Sequence, residues 1–256
     1  MFVDAHAHLD DPVLAPREEE VVAAALDAGV GVIVNASSDL PSSEASVALA
    51  TRHKEVYAVI GVHPHEAKTY TEQVEKRLVA LSSENKVVAF GEIGLDYHYD
   101  LSPREDQKAV LEREIAVADE LKLPVVFHVR EAYEDFNAII ERNKNKLRRG
   151  VLLHCYGGSA ELAKYYYDKF DAYFSFGGVL TFAKHKDLVL NAIPNERLLL
   201  ETDCPYMTPV PFRGTPNEPK NIPLVAAKMA ELKGLSRDKI EEITTQNALR
   251  FYSIKL

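Results

Sequence analysis

A chain of 256 residues with 46% hydrophobic and 27% charged residues has the balance of an ordinary globular protein, in the length range of single-domain α/β barrels. A net charge of −9 argues against broad electrostatic wrapping of nucleic acid, because that mode relies on Lys and Arg neutralising phosphates. No apolar run approaches the ~20 residues needed to span a bilayer.

The N-terminus has no basic leader and enters an apolar stretch at once, so no signal peptide is expected. The two cysteines, Cys155 and Cys204, form no disulfide framework and fit a reducing cytoplasm. In chain order, strands are expected at "FVDAHA" (2–7), "GVIVNA" (31–36), "YAVIGV" (57–62) and "VVAFGE" (87–92). They continue at "PVVFHV" (124–129), "GVLLHC" (150–155), "AYFSFG" (172–177) and "RLLLET" (197–202). Most are continuous apolar runs, the pattern of parallel strands covered on both faces. Helical periodicity fills the gaps at 16–28, 42–53, 71–83, 103–122, 131–146, 159–169 and 184–192. "LSPREDQ" predicts a helix start with Ser102 as N-cap, Pro103 at the first helical position and Glu105 closing a capping box.

This alternation makes a single-domain (β/α)8 TIM barrel spanning 1–256 the leading α/β fold, with a doubly wound open sheet as the alternative. The segment 204–223 breaks the rhythm. It holds six of the thirteen prolines and no convincing helix, so it should form an ordered loop after the eighth strand. Helices near 221–233 and 236–252 close the chain.

Barrel chemistry sits where strands run out into βα loops. Six of the nine histidines fall there: His6 and His8, His63 and His65, His128, and His154. Glu92 and Asp203 share that position. A lone histidine at a strand end is usually a hydrogen-bonded structural residue, but six with two carboxylates on one rim point to a metal site. His6, His8, His128 and His154 with Glu92 and Asp203 make a nitrogen and oxygen donor set without thiolate. Such a set suits Zn²⁺, Mn²⁺, Fe²⁺ or Ni²⁺ better than Mg²⁺. Six ligands exceed what one catalytic ion with an open position needs, and they suffice for two ions sharing a bridge. Glu92, on the fourth strand between the two groups of histidines, is placed to be that bridge.

The motifs "DAHAHLD" (4–10), "GVHPH" (61–65), "GEIGLDYH" (91–98), "PVVFHVRE" (124–131), "LHCYGGS" (153–159), "ETDCPYM" (201–207) and "PFRGTPNEP" (211–219) together resemble the TatD family of metal-dependent hydrolases, amidohydrolase-like TIM barrels. The resemblance covers nearly the whole chain. It implies the same six metal ligands, His6, His8, Glu92, His128, His154 and Asp203. It also implies hydrolysis of phosphodiesters, typically as a 3′→5′ exodeoxyribonuclease on single-stranded DNA, through a metal-bridging hydroxide. Two divalent ions per subunit are expected, with Mg²⁺, Mn²⁺, Zn²⁺ and Ni²⁺ all open. Two such ions less Glu92, Asp203 and a hydroxide leave roughly +1 at the site, which attracts a phosphodiester to an acidic protein.

Glu92 and Asp203 are the catalytic candidates, Asp203 as ligand, general base or both. Glu201 and Asp4 are expected to support the site. His63, His65, Arg130 and Arg213 are candidates for substrate binding, with hydrogen bonding to neighbouring loops as the rival role for the histidines and an ion pair to Glu201 for Arg130. Tyr97 and Asn217 are weaker candidates. Cys155 and Cys204 are expected to be small buried residues, "KNKLRR" (144–149) a solvated loop, and the tyrosines of "KYYYDKF" (164–170) helix packing. The expected partner is single-stranded DNA or another phosphodiester, with no membrane and no obligate protein partner. The alternatives are a dimetal amide or ester hydrolase (deacylase) and a non-catalytic metal-binding scaffold.

Overall fold

The structure, a computed structural model, describes residues 1–256. Eight strands form one sheet in chain order: β1 (Phe2–Ala7), β2 (Val30–Asn35), β3 (Val56–Ile60), β4 (Val87–Asp96), β5 (Val125–Arg130), β6 (Val151–Leu153), β7 (Tyr173–Phe176) and β8 (Leu198–Leu200). Helices follow the strands in alternation: α1 (Glu18–Asp27), α2 (Leu40–Arg52), α3 (Glu72–Leu81), α4 (Arg104–Leu121), α5 (Tyr133–Arg142), α6 (Ala160–Phe170) and α7 (Lys186–Ala192). After β8 come α8 (Ile222–Lys233) and α9 (Arg237–Phe251). This is the expected (β/α)8 TIM-barrel arrangement. No helix is long and apolar enough to cross a membrane.

The chain divides into two compact units, one of Met1–Asn35 with Cys155–Leu256 and the other of Ala36–His154. In the first, β1 pairs parallel with β2, with Val3 opposite Val32, and β7 pairs with β8, with Phe174 opposite Leu198. The ends of β1 and β8 are joined directly: Asp203 N–H donates to the His6 carbonyl at 2.9 Å, and His8 N–H to that of Cys204 at 2.9 Å. The closing helix α9 is tied to this sheet by the Asn247 amide, which donates to the Leu198 carbonyl at 2.9 Å. Just beyond it, Tyr252 Oη–H donates to the Ala5 carbonyl at 2.8 Å.

In the second unit β3, β4, β5 and β6 pair parallel in turn. Phe127 on β5 meets Phe136 on α5 edge to face, and both are fully buried. Gly94 has φ +151°, and a Cβ there would lie 1.8 Å from the His128 carbonyl oxygen. Only glycine therefore lets β4 approach β5 where His128 leaves the sheet.

Several helix starts follow the sequence signals. Asp39 caps α2 in a reciprocal box with Ser42, while Thr71, Ser159 and Ser236 cap α3, α6 and α9. Gly234, at φ +65°, stops α8. The expected cap at Ser102 is corrected. Helix α4 begins at Arg104 with Pro103 at the cap and no side-chain cap bond. The Ser102 hydroxyl instead donates to the His65 carbonyl at 2.7 Å and accepts from Lys68 N–H at 3.2 Å. A tertiary partner has claimed the oxygen that the helix could have used. The fifth helix is also shorter than expected, ending at Arg142 before a single 3-10 turn at Lys144–Lys146.

Candidate metal centre

In the first unit, β1 delivers His6 and His8, and the turn after β8 delivers Asp203. His8 Nε2 lies 3.3 Å from Asp203 Oδ1. The His6 and His8 rings sit edge to face with centroids 5.0 Å apart. One donor atom from each of the three residues lies within 4.8 Å of the others, the compactness an ion requires. Asp203 has φ +55°, an uncommon conformation for a non-glycine residue. Asp4 and Glu201 lie beneath, fully buried. Thr202 donates to Asp4 through its N–H at 2.9 Å and its hydroxyl at 2.5 Å. The Ser175 hydroxyl donates to Glu201 at 2.5 Å. Burial pushes the Asp4 carboxyl up to about 8, against the lowering effect of the Thr202 bonds. Asp4 also accepts from the His6 N–H at 3.3 Å.

In the second unit three imidazoles converge on one carboxylate oxygen. Glu92 Oε1 lies 2.6 Å from His154 Nε2, 2.8 Å from His128 Nδ1 and 3.4 Å from His63 Nε2. Hydrogen-bond partners fix the chemistry of two of these rings. His128 Nε2 meets Asp96 Oδ2 at 3.0 Å, and a carboxylate can only accept there, so that nitrogen carries a proton. In the neutral ring Nδ1 then presents a lone pair to the Glu92 oxygen, an arrangement that needs a proton or a cation in between. His128 Nδ1 and His154 Nε2 are 3.3 Å apart. That is the edge of a tetrahedron around an ion with nitrogen bonds of about 2.0–2.1 Å. The donor set therefore fits a divalent ion.

His63 is different. Its Nδ1 accepts from the His65 N–H at 3.1 Å, which leaves the proton of the neutral ring on Nε2. His63 consequently faces Glu92 as a hydrogen-bond donor and not as a lone-pair ligand. Burial lowers it to about 4, against the pull of Glu92, so it stays neutral. Burial also opposes protonation of His128, but Asp96 and Glu92 outweigh it and the net shift is upward.

Asp96 is the residue that sequence reasoning missed. It is fully buried and gathers four donors: Oδ2 takes His65 Nε2 and His128 Nε2 at 3.0 Å each, and Oδ1 takes the N–H groups of His98 and Tyr99 at 2.9 Å each. Burial would raise its carboxyl, yet the bonds from His128 and Tyr99 hold it well below the usual range. The signal was present, because Asp96 follows Glu92 by four residues and a strand places such residues on one face. The sequence reading ended the strand at Glu92, whereas β4 runs on to Asp96.

The remaining candidates fall into place by their partners. The Arg130 guanidinium lies over the Tyr99 ring at 4.8 Å. Arg213 donates to the Thr208 carbonyl at 2.9 Å and stacks on Phe182 at 4.0 Å. Asn217 is fully buried, and its amide donates to the carbonyls of Thr202 and Tyr206, so it organises the loop and does not face a substrate. Tyr97 is held by Asp135 at 2.6 Å with Arg104 over its ring. Cys204 is buried as expected, but Cys155 is only half-buried, because a φ of +43° turns it out of the strand direction. The basic stretch at 144–149 is an exposed loop around buried Leu147, and Tyr166 packs inside α6.

Known proteins share this chain's sequence pattern and fold. The family model for TatD-related DNases matches residues 3–253. The chain is 42% identical over 256 residues to a Bacillus subtilis protein named as an uncharacterized metal-dependent hydrolase, YabD, covering 99% of this chain and all of that one. It is 32% identical to the 3′-5′ ssDNA/RNA exonuclease TatD of Klebsiella pneumoniae, covering 98% of this chain and 97% of the relative. Among solved structures, the TatD homologue YJJV of Escherichia coli superposes with a TM-score of 0.93 at 29% identity, covering 99% of this chain and 98% of the other. Agreement that runs from the third residue almost to the last, in sequence and in fold alike, makes this chain a member of the TatD family of metal-dependent hydrolases.

Proposed function

We propose that this enzyme hydrolyses phosphodiester bonds, removing nucleotides from the 3′ end of single-stranded DNA with two divalent ions per subunit. The observation that carries the reading is the convergence of His128 Nδ1 and His154 Nε2 on Glu92 Oε1, a compact set of nitrogen and oxygen donors suited to a divalent ion. In this reading His6, His8 and Asp203 would hold one ion, and Glu92, His128 and His154 the other. The relative in Klebsiella pneumoniae, named as acting on single-stranded DNA and RNA from 3′ to 5′, supports the substrate class.

Bound divalent ions would supply positive charge for a phosphate and lower the pKa of water near neutral pH. The chain's own residues do the rest. Asp203 accepts the proton of the attacking water, and its turn geometry presents the carboxylate beside His8. Asp96 fixes the His128 ring, so that Nδ1 and not Nε2 faces the reacting centre. His63 offers its Nε2–H to a phosphate oxygen, while Arg130 and Arg213 grip the strand through paired N–H donors. His65, bonded to Asp96, serves to position its neighbour His63. Cys155 and Cys204 form no disulfide, which agrees with a cytoplasmic setting.

The test is a metal titration of stripped protein with Mg²⁺, Mn²⁺, Zn²⁺ or Ni²⁺ on single strands labelled at either end. Mononucleotides released first from the 3′ label are the expected result. Failure of every metal to release nucleotides, together with metal-dependent release of acid from aminoacyl esters, would overturn the reading in favour of a deacylase.

A further inference from the structure

The first unit exposes a group of large aromatic side chains that the chemistry above does not use. Tyr206 is 54% exposed, Phe212 50% and Phe182 41%. Tyr206 lies edge-on to His8 with ring centroids 6.2 Å apart, so the group begins at the proposed ligands. Phe182 belongs to the turn after β7, and Tyr206 and Phe212 to the proline-rich loop after β8. The two segments are fastened together. Val210 N–H donates to the Thr181 hydroxyl at 2.9 Å, and Arg213 stacks on Phe182. A Cβ on Gly178 would lie 1.9 Å from the Met207 carbonyl oxygen, so the backbones touch.

The loop is also braced from within. Asn217 N–H donates to the Pro205 carbonyl at 2.9 Å, and the Thr208 hydroxyl to the Thr215 carbonyl at 2.5 Å. Exposed aromatics on a braced loop lose little entropy when covered, and that favours a flat ligand. The cations Arg213 and Lys184 stand exposed beside Phe212 and Phe182 in sequence, in a chain that is acidic overall. Aromatic faces interleaved with cations match the two parts of a single nucleic-acid strand, its unpaired bases and its phosphates.

We propose that Tyr206, Phe212 and Phe182 form a ledge on which successive unpaired bases stack as the strand leaves the metal centre, with Arg213 pairing to a phosphate between them. The inference rests on the nuclease reading and adds what that reading lacks, a physical reason for unpaired strands. A duplex hides its base faces and cannot use the ledge.

The experiment compares binding of two phosphorothioate dodecamers by fluorescence anisotropy with Mn²⁺ present. One is oligothymidine, and the other has the same backbone with no bases. Phosphorothioate linkages slow hydrolysis, so binding is read apart from turnover. The oligothymidine strand should bind about 100-fold more tightly, and Tyr206→Ala or Phe212→Ala should each cut that preference by about five-fold. These side chains are exposed, so their truncation removes no core packing. Equal binding of the two strands overturns the ledge, as does a preference that survives the double variant. A preference without any nucleotide release from an unmodified strand sustains the ledge and sinks the hydrolytic reading. Release without a preference does the opposite.

Discussion

Asp96 holds Nε2 of His128 at 3.0 Å, and the opposite nitrogen of the same ring reaches Glu92 at 2.8 Å. One side chain that touches no proposed ion thus decides which lone pair the centre receives. Asp96→Asn keeps the shape but gives up the charge and the second-acceptor capacity that four donors use. Affinity for Zn²⁺ or Mn²⁺, measured by calorimetry on stripped protein, should fall by about 10–100-fold. An unchanged affinity would show that the ring is oriented by packing alone.

Glu92→Ala removes the oxygen on which three imidazoles converge. Metal-dependent release of nucleotides should drop below detection, while the far-ultraviolet circular dichroism of the folded chain stays that of the wild type. Glu92 is buried within β4, but its partners are polar, so its truncation removes no apolar core packing. Turnover at the wild-type rate would refute its place in the proposed metal centre.

Glu114 is buried in the second unit. One of its oxygens accepts from Val62 N–H at 2.8 Å, and the other meets no hydrogen-bond partner. Burial raises its pKa well above 4.5, the backbone bond notwithstanding. The folded state therefore holds this proton more tightly than the unfolded chain does. Its contribution to stability is complete below pH 4.5 and declines as pH rises towards the folded pKa. Glu114→Gln cannot ionise. Its melting temperature relative to wild type should climb between pH 5 and pH 8, by roughly 2–4 °C for each kcal/mol recovered. A difference independent of pH would mean that Glu114 is ionised in the fold.

Phe136→Ala should cost about 3–5 kcal/mol in chemical denaturation, because it empties a fully buried site against Phe127. A loss below about 1 kcal/mol would mean that α5 collapses into the space.

Gly178→Ala inserts a methyl where the Met207 carbonyl already stands. The loop at 204–216 must give way, at a cost of about 1–3 kcal/mol. Limited proteolysis should then cut within that loop sooner than in the wild type, and equal cutting rates would show that the two backbones can separate freely.

Much of this was legible because burial on both faces writes strands as unbroken apolar runs, and "FVDAHA" and "PVVFHV" lie within a residue of β1 and β5. The candidate ligands were legible because each polar residue closes such a run. What escaped notice depends on tertiary partners. Ser102 has the sequence of a capping box, yet its hydroxyl is spent on the His65 carbonyl. Asp96 stood two residues past Gly94, and glycines there look like the end of a strand until the approach of β5 explains them. The tautomer of His63 was beyond reach, since it is set by one backbone N–H two residues on. Nor does any motif reveal that Tyr206 lies beside His8, because that neighbourhood is made by strands at opposite ends of the chain.

The paired hydrogen bonds between the turn at His6–His8 and that at Asp203–Cys204 have a consequence for biosynthesis. The carboxylate partner of these two imidazoles emerges from the ribosome nearly 200 residues after them. At about 5–20 residues per second, the nascent polypeptide spends tens of seconds with those histidines uncommitted. A messenger truncated before the codon for Asp203 would therefore yield a product with no closed first cluster, so hydrolysis waits for the segment that carries Asp203.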